Sequence, residues 1–528
     1  MIWLALLVLS SLFALQLLRG SVLYDDWVQD IYIHLNGILH IEAGNLPHIG
    51  FSTPVGAFYY FAFYLTTYFA APSAYTAVYA NGLVAGLAMG LCLLAGYRRL
   101  HPGWTAALML YVGLVAISPR QLGETFLTFN AAYNRWSWAI FAVLAVVVSL
   151  PRVDAERPRA ALMDGLLSAV LMALLFFTKA TYAVVGLGLI LASVVTVRRN
   201  AHTRLYSLTT AAALALLIIA VELKFGILLP YIADLQRTAQ AQGGTSRVKQ
   251  LFMIAYHNTA DHILILLIAT IAASFLSNTK ASVGHIIYLL VLMGAGLAIA
   301  VQNHRAFEIP LVPVTALIAF QLFGSRLPVP AKPGVLLAAV TAVVLLLFLK
   351  PMAADAMGVL DESLSPSAPG PDVDWMQETP LRDLAYSARP NRVLSGGGCL
   401  GEPPQVGEDR EYVSVLQDGV RLLNKHPLAD ARVLSLTFTN PFPMLIGGPP
   451  VRNELSWWDA GRTFNASVHP QPETLFRGVD YVLIPKFLGW SNLTHQTMLS
   501  IYGAEIQRRY TLLEESGCWR LMGAIDRS

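Results

Sequence analysis

The chain has 528 residues, 55% of them hydrophobic and only 13% charged, with a formal net charge of +3. Soluble domains carry about 25% charged residues, so this composition and a mean hydropathy of +0.55 exclude a soluble enzyme, a disordered chain and a nucleic-acid binder. They imply a polytopic membrane protein. The cysteines Cys92, Cys399 and Cys518 are spaced too widely for a CxxC metal cluster.

In chain order, apolar runs predict spanning helices near 1–18, 74–97, 103–118, 136–150, 160–177, 180–197, 205–229, 260–276, 285–301, 306–323 and 335–350. A bilayer span needs about 20 such residues, and shorter ones occur inside bundles. The first run has no basic n-region and no A-x-A site, so an uncleaved anchor is expected. Val55–Ala71 is a further apolar segment, and its placement sets the topology of everything after it. If it lies at the interface without crossing, Arg98, Arg99, Arg152, Arg157, Arg159, Arg198, Arg199, Arg204, Lys280, Arg326 and Lys332 share one side in short loops. Arg19, Arg120, Arg135, Lys179, Arg237, Arg247, Lys249 and Arg305 then fall on the other side, in much longer loops. Clustered basic residues mark the cytoplasm. The expected topology is eleven spans with a cytoplasmic N-terminus, and the outer face collects loops 19–54, 119–135, 230–259 and 302–305.

Residues 1–350 are therefore read as a membrane module, 351–370 as a linker and 371–528 as a soluble extracytoplasmic domain. In that domain Arg392–Leu394, Arg432–Thr437 and Asp480–Pro485 predict strands, while Glu411–Lys425 and Thr494–Arg509 predict helices. The fold class is mainly α, a polytopic transmembrane helical bundle with a C-terminal α/β or α+β domain. Cys399 and Cys518 lie on the oxidising side, which permits a disulfide. Ser456-Trp457-Trp458-Asp459 with Arg462 reads either as a glycan-stacking platform or as core. The tail contains no nucleotide-binding loop, HExxH or GxSxG motif.

The first outer loop carries the strongest chemical signal. Asp25 and Asp26 follow directly on a span, where two carboxylates are costly unless they have partners or a purpose. Asp26, Asp30 and His34 recur at i, i+4 and i+8 on one face of a short amphipathic helix. Next come Gly44-Asn45-Leu46-Pro47-His48 and Pro54-Val55-Gly56-Ala57-Phe58-Tyr59-Tyr60. In the later outer loops, Glu124 and the set Tyr133, Asn134, Arg135 suit sugar binding or an aromatic belt. Lys179 lies near membrane depth, where a charge is functional by default. Arg237, Arg247 and Lys249 in one loop, and His304 and Arg305 in another, add cations.

An acidic pair after the first span, a G-x-x-P-H turn and a P-x-G-x-x-Y-Y helix start resemble the membrane-embedded glycosyltransferases of superfamily C (GT-C). That group includes protein O-mannosyltransferases and lipid A aminoarabinose transferases. The likeness covers residues 1–350 in layout and 20–60 in motif. The commoner form has an Asp before the Phe of the turn, whereas Gly50 stands before Phe51 here.

The resemblance implies sugar transfer from a polyprenyl-phosphate-linked donor to a glycan or lipid acceptor at the outer face of a bacterial inner membrane. Asp25 would be the general base and Asp26 its support. His48, Glu124, Tyr133, Asn134, Arg135, Lys179, Arg237, Arg247, Lys249, His304 and Arg305 would bind substrate. Some members use a divalent metal, for which Asp26, Asp30 and His34 are the ligand set here; no nucleotide cofactor is implied. The alternative from another class is a transporter or flippase of a lipid-linked glycan. It predicts internal repeats and broken helices with polar residues at mid-membrane, and the sequence shows no convincing repeat.

Overall fold

The computed structural model describes every residue except 25–27, 125, 130–131, 199–200, 243–246, 275–278, 303–306, 325–333, 369–374, 377, 388–407, 487–491 and 526–528. The membrane module begins with α1 (Ile2–Arg19), the short strand β1 (Val22–Tyr24) and α2 (Ile31–Glu42). There follow α3 (Ala57–Leu65), α4 (Thr76–Gly96), α5 (Pro102–Ile117), α6 (Ala132–Ser149), α7 (Pro158–Thr178), α8 (Ala180–Thr196) and α9 (Thr203–Phe225). It continues with α10 (Leu228–Ala241), α11 (Arg247–His257), α12 (Thr259–Ser274), α13 (Thr279–Gln302), α14 (Val312–Gly324) and α15 (Gly334–Leu364).

Among the described residues seven helices are long and apolar enough to cross a membrane, and α11 with α12 forms one further pair bent by 66°. The shorter apolar helices α5, α8 and Val312–Leu322 pack among them. The molecule is an integral membrane protein. At 1.5 Å per residue, the nine residues of α3 reach about half of the ~30 Å hydrocarbon thickness.

The helices divide by what they touch. Of the apolar stretch of α6, 89% is buried inside the protein, against 6% for α9. A helix apolar on all sides suits either surrounding. Position in the bundle therefore makes α6 the hub, packed on α4, α5, α7 and α8, and leaves most of α9 to lipid.

The C-terminal region contains β2 (Ser367–Ala368), β3 (Leu384–Ser387), α16 (Glu408–Leu423), β4 (Val433–Ser435), α17 (Phe442–Ile446) and α18 (Pro472–Leu475). β5 (Tyr481–Pro485), α19 (Asn492–Arg509), β6 (Tyr510–Glu515) and β7 (Trp519–Ala524) complete it. Its main sheet runs β4-β5-β7-β6, with β4 and β5 parallel and the other pairs antiparallel. Strand alternation sends Val433, Tyr481 and Leu483 to the face where α16 packs with Val415 and Leu416. Leu434 and Val482 go to the opposite face, against Met498, Tyr502 and Ile506 of α19. The result is an α/β sandwich. Cys92 is a free, buried thiol and Cys518 is disulfide-bonded. Cys399 and the strand expected at Arg392–Leu394 lie outside the described residues.

This domain is built onto the segment that follows α1. β1 pairs in parallel with β3, which also carries β2. Asn36 donates to the Asn440 carbonyl at 2.8 Å, and His40 meets Glu454 at 3.1 Å. Asn440 donates to the other Glu454 oxygen at 3.1 Å. Ser52 donates its backbone N–H to the Glu454 carbonyl and accepts from the Ser456 N–H, both at 2.9 Å. All four of these side chains are buried, where hydrogen-bonded polar groups fix a docking geometry.

Candidate active site

The loop between α2 and α3 reverses at His48, whose φ of 70° is left-handed, a conformation that costs a non-glycine residue free energy unless its surroundings impose it. They do. His48 Nδ1 lies 2.8 Å from Asp234 of α10, and the ring packs tilted against Tyr231 at 4.4 Å. Asp234 also accepts the Thr53 N–H at 3.0 Å and pairs with Arg237. Tyr231 in turn donates to the Phe176 carbonyl at 2.9 Å and accepts the Ala180 N–H at 3.2 Å. Helix α10 thus clamps the loop onto the junction of α7 and α8. Gly56 completes the contact by donating to the Thr178 carbonyl at 2.9 Å. A Cβ on Gly56 would overlap the Phe177 backbone, so a glycine is required there.

Lys179 is the single extended residue between α7 and α8. Its ammonium donates to Asn134 Oδ1 at 2.7 Å and lies 5.2 Å and 5.9 Å from the ring centres of Tyr133 and Tyr182. Burial, and after it the Arg462 guanidinium, pushes its pKa down to about 7. An aromatic wall continues from here. Tyr133 packs edge-on to Tyr59 at 5.5 Å, and Tyr59 packs against Tyr60, Phe63 and Trp136. Burial holds the Tyr59 phenol well above its ordinary pKa, with further contributions from Tyr60, Tyr133, Asp30 and Tyr24. Tyr24 and Asp30 flank residues 25–27 in the chain, so both described ends of that segment lie within electrostatic reach of this wall.

The soluble domain contributes the opposite side. Arg462 pairs with Asp459 at 2.8 Å, and both act electrostatically on the Tyr133 phenol. Burial raises the Asp459 carboxyl and Arg462 opposes the rise. A crevice runs on from here between Ser52, Thr53, Asp234, Arg237, Trp457 and Thr463. On the membrane side, Phe58, Phe61, Leu174, Phe177 and Phe225 line an apolar groove of about 270 Å³. The groove ends at Phe177, two residues from Lys179.

The residues singled out in the sequence separate into three groups. Tyr133, Asn134 and Lys179 come together, and Arg237 lines the adjoining crevice. His48 is buried against Asp234 as a brace for the turn. Arg135 is occupied within the protein, donating to Asp355 at 3.0 Å and to the carbonyls of Arg120 and Val115. Glu124 sits on the Gly123 turn, its carbonyl accepting from Arg120, and Lys249 is exposed on α11. Arg247 opens α11. Asp25, Asp26, His304 and Arg305 lie outside the described residues. His34 is buried and stacks on Phe63 at 4.3 Å, and desolvation lowers its pKa to about 3. Among the described residues no three His, Cys, Asp or Glu side chains converge as a metal site. Asp234 was absent from the expected binding set, whereas Asp459 and Arg462 were named with the tryptophan pair as either a glycan-stacking platform or core. The Trp457-Trp458-Asp459 run was the available signal for the last two, and only Trp457 of the two tryptophans lines the crevice, Trp458 being core.

No family model and no curated relative matches the chain. Among solved structures it is similar to ArnT from Cupriavidus metallidurans bound to undecaprenyl phosphate: TM-score 0.51, 12% identity, covering 99% of this chain and 98% of that one. The apo state of the same protein aligns at TM-score 0.51 and 10% identity, over 98% and 97% of the two chains. The mycobacterial arabinofuranosyltransferase AftD aligns at TM-score 0.43 and 16% identity, over 98% of this chain and 40% of that one. The chain shares the overall fold of ArnT over nearly its whole length.

Proposed function

We propose that the protein transfers a sugar from a polyprenyl-phosphate-linked donor to a glycan or lipid acceptor on the outer face of the membrane. The observation that carries this reading is the closeness of an apolar, lipid-side groove, lined by Phe177, to the buried Lys179 on which Arg462 acts electrostatically. A polyprenyl tail fits the groove, and its phosphate meets Lys179 and Arg462. Two cations brought close together with burial are poised to take up an anion. The aromatic wall of Tyr133 and Tyr59 offers ring faces to a sugar, and the Ser52–Trp457 crevice leads the acceptor in from the soluble side. The ArnT fold supports the same reading, since undecaprenyl phosphate is bound by that protein.

The base is assigned to Asp25, with Asp26 supporting it, on the resemblance of the acidic pair after the first span, and the flanking Tyr24 and Asp30 act electrostatically on Tyr59 of the wall. The acceptor hydroxyl loses its proton to Asp25 as its oxygen attacks the anomeric carbon. The polyprenyl phosphate leaves, its charge held by Lys179 and Arg462. The test is turnover of the full-length protein in nanodiscs with a defined polyprenyl-phosphate sugar. Asp25→Asn is expected to lower kcat by about 100- to 10,000-fold while donor binding persists. Full turnover in both Asp25→Asn and Asp26→Asn would overturn the assignment.

A further inference from the structure

At the far end of the same helices lies a second charged cavity, of about 320 Å³, bounded by the end of α6, the start of α7, the end of α8 and the start of α9. Arg152, Glu156, Asp164, Arg198, His202 and Tyr206 line it. Asp164 on the first turns of α7 pairs with Arg99 and, at 3.0 Å, with Arg198. Arg99 also donates to the carbonyls of Ala95 and Leu150, and Arg198 to those of Val147 and Val148. These two arginines therefore cap the buried C-terminal ends of α4 and α6. Among the described residues Arg152 donates to no helix-end carbonyl, and its guanidinium contacts Met163 Sδ at 3.6 Å. It meets Asp154 at 2.9 Å, a carboxylate that Arg98 also holds at 2.8 Å.

Arg99, Arg152 and Arg198 are all buried. Leaving aside the exposed Arg98 and Glu156, they bring three buried positive charges against Asp154 and Asp164. A buried excess of positive charge is stabilised by an anion. The surroundings define what kind. Val153 at the rim is 90% exposed, and Met163, Leu166 and Leu208 are exposed on the first turns of α7 and α9. Apolar side chains in that position face lipid, so an occupant of the cavity continues into the bilayer.

We propose that this cavity binds the headgroup phosphate of an anionic phospholipid, with Arg152 on the phosphate and the acyl chains along α7 and α9. The site is distinct from the donor site, which lies at the opposite helix ends, and does not depend on the reading given for it. Basic pockets between membrane helices on the cytoplasmic side have this chemistry, and the basic-residue distribution assigns this end to the cytoplasm.

The experiment is native mass spectrometry of the full-length protein released from neutral detergent, titrated with phosphatidylglycerol or with phosphatidylcholine of the same acyl chains. Phosphatidylglycerol is expected to bind about tenfold more tightly, and Arg152→Gln to remove about fivefold of that preference. Glu156→Gln, on an exposed side chain whose loss leaves the fold intact, is expected to tighten phosphatidylglycerol by a similar factor. Equal retention of the two lipids, or an unchanged preference in Glu156→Gln, would overturn the proposal. Displacement of phosphatidylglycerol by millimolar inorganic phosphate or glycerol 3-phosphate would overturn it too, assigning the cavity to a soluble anion.

Discussion

The two ends of helices α6 to α9 use cations in opposite ways. At the Ser149–Pro158 end, Arg99 and Arg198 share Asp164 and close the carbonyl ends of neighbouring helices. Every partner there belongs to the membrane module itself. At the Thr178–Ala180 end, Lys179 is held by the Asn134 amide and two tyrosine rings, and the nearby Arg462 arrives on a separately folded domain. A cation packed beside its own carboxylate is committed to architecture. Lys179, buried between an amide and two rings with Arg462 close by, is instead pushed toward the neutral form, and that difference separates the two ends.

The contrast is broken most sharply by the catalytic variant. If Asp25→Asn loses two to four orders of magnitude in kcat and leaves the thermal midpoint unchanged, the outer end is chemical and not structural. The mirror experiment is Asp164→Asn at the other end. It leaves two buried guanidinium groups without their shared counter-charge, and removal of one partner of a buried pair costs about 3–5 kcal/mol. The expected result, read by thermal denaturation in detergent, is a large drop in stability. A stable variant would show that the capping carbonyls alone hold Arg99 and Arg198.

Lys179 gives a smaller, pH-dependent effect. Lys179→Met is expected to raise the donor KM by about 10- to 100-fold, the range for a lost hydrogen bond to a charged group. The free-state pKa of about 7 fixes the direction with pH. Below pH 7 the ammonium is charged and binds phosphate; above it the side chain is increasingly neutral, and donor affinity falls as pH rises from 7 to 9. Lys179→Arg, charged throughout, should flatten that slope. An identical slope in wild type and Lys179→Arg would remove Lys179 from the phosphate site. Smallest is Gly56→Ala, whose Cβ meets the Phe177 backbone. Overpacking of this kind costs about 1–3 kcal/mol. Because the same contact seats the groove, donor KM should rise together with the loss of stability.

Much of the membrane module was readable in the sequence because hydropathy is a local property. Helices occupy each of the eleven expected intervals, with α6 starting at Ala132 and α15 running on to Leu364. Of the Val55–Ala71 segment only the nine residues of α3 form an α-helix, too short to cross the ~30 Å hydrocarbon layer. The soluble domain was only partly readable. β4, β5, α16 and α19 were anticipated near their observed positions, whereas β6 and β7 were missed. Tyr510–Glu515 exposes Thr511, Leu512 and Leu513, so its pattern does not announce a strand, and it exists because β7 pairs with it.

Among candidate site residues, Tyr133, Asn134 and Lys179 were readable because polar groups at helix ends within an apolar region stand out. His48 and Arg135 stand out for the same reason, yet each is occupied by a carboxylate far away in sequence, Asp234 and Asp355. The sequence alone determined that this is a membrane bundle carrying a soluble α/β domain, since composition and periodicity act over single helices and strands. Only the tertiary structure decided which charges are committed to partners and which face the pocket, because charge pairing depends on where distant segments meet. The path that brings α10 onto the 48–53 turn, and the 457–463 loop over Lys179, has no local signature in the chain.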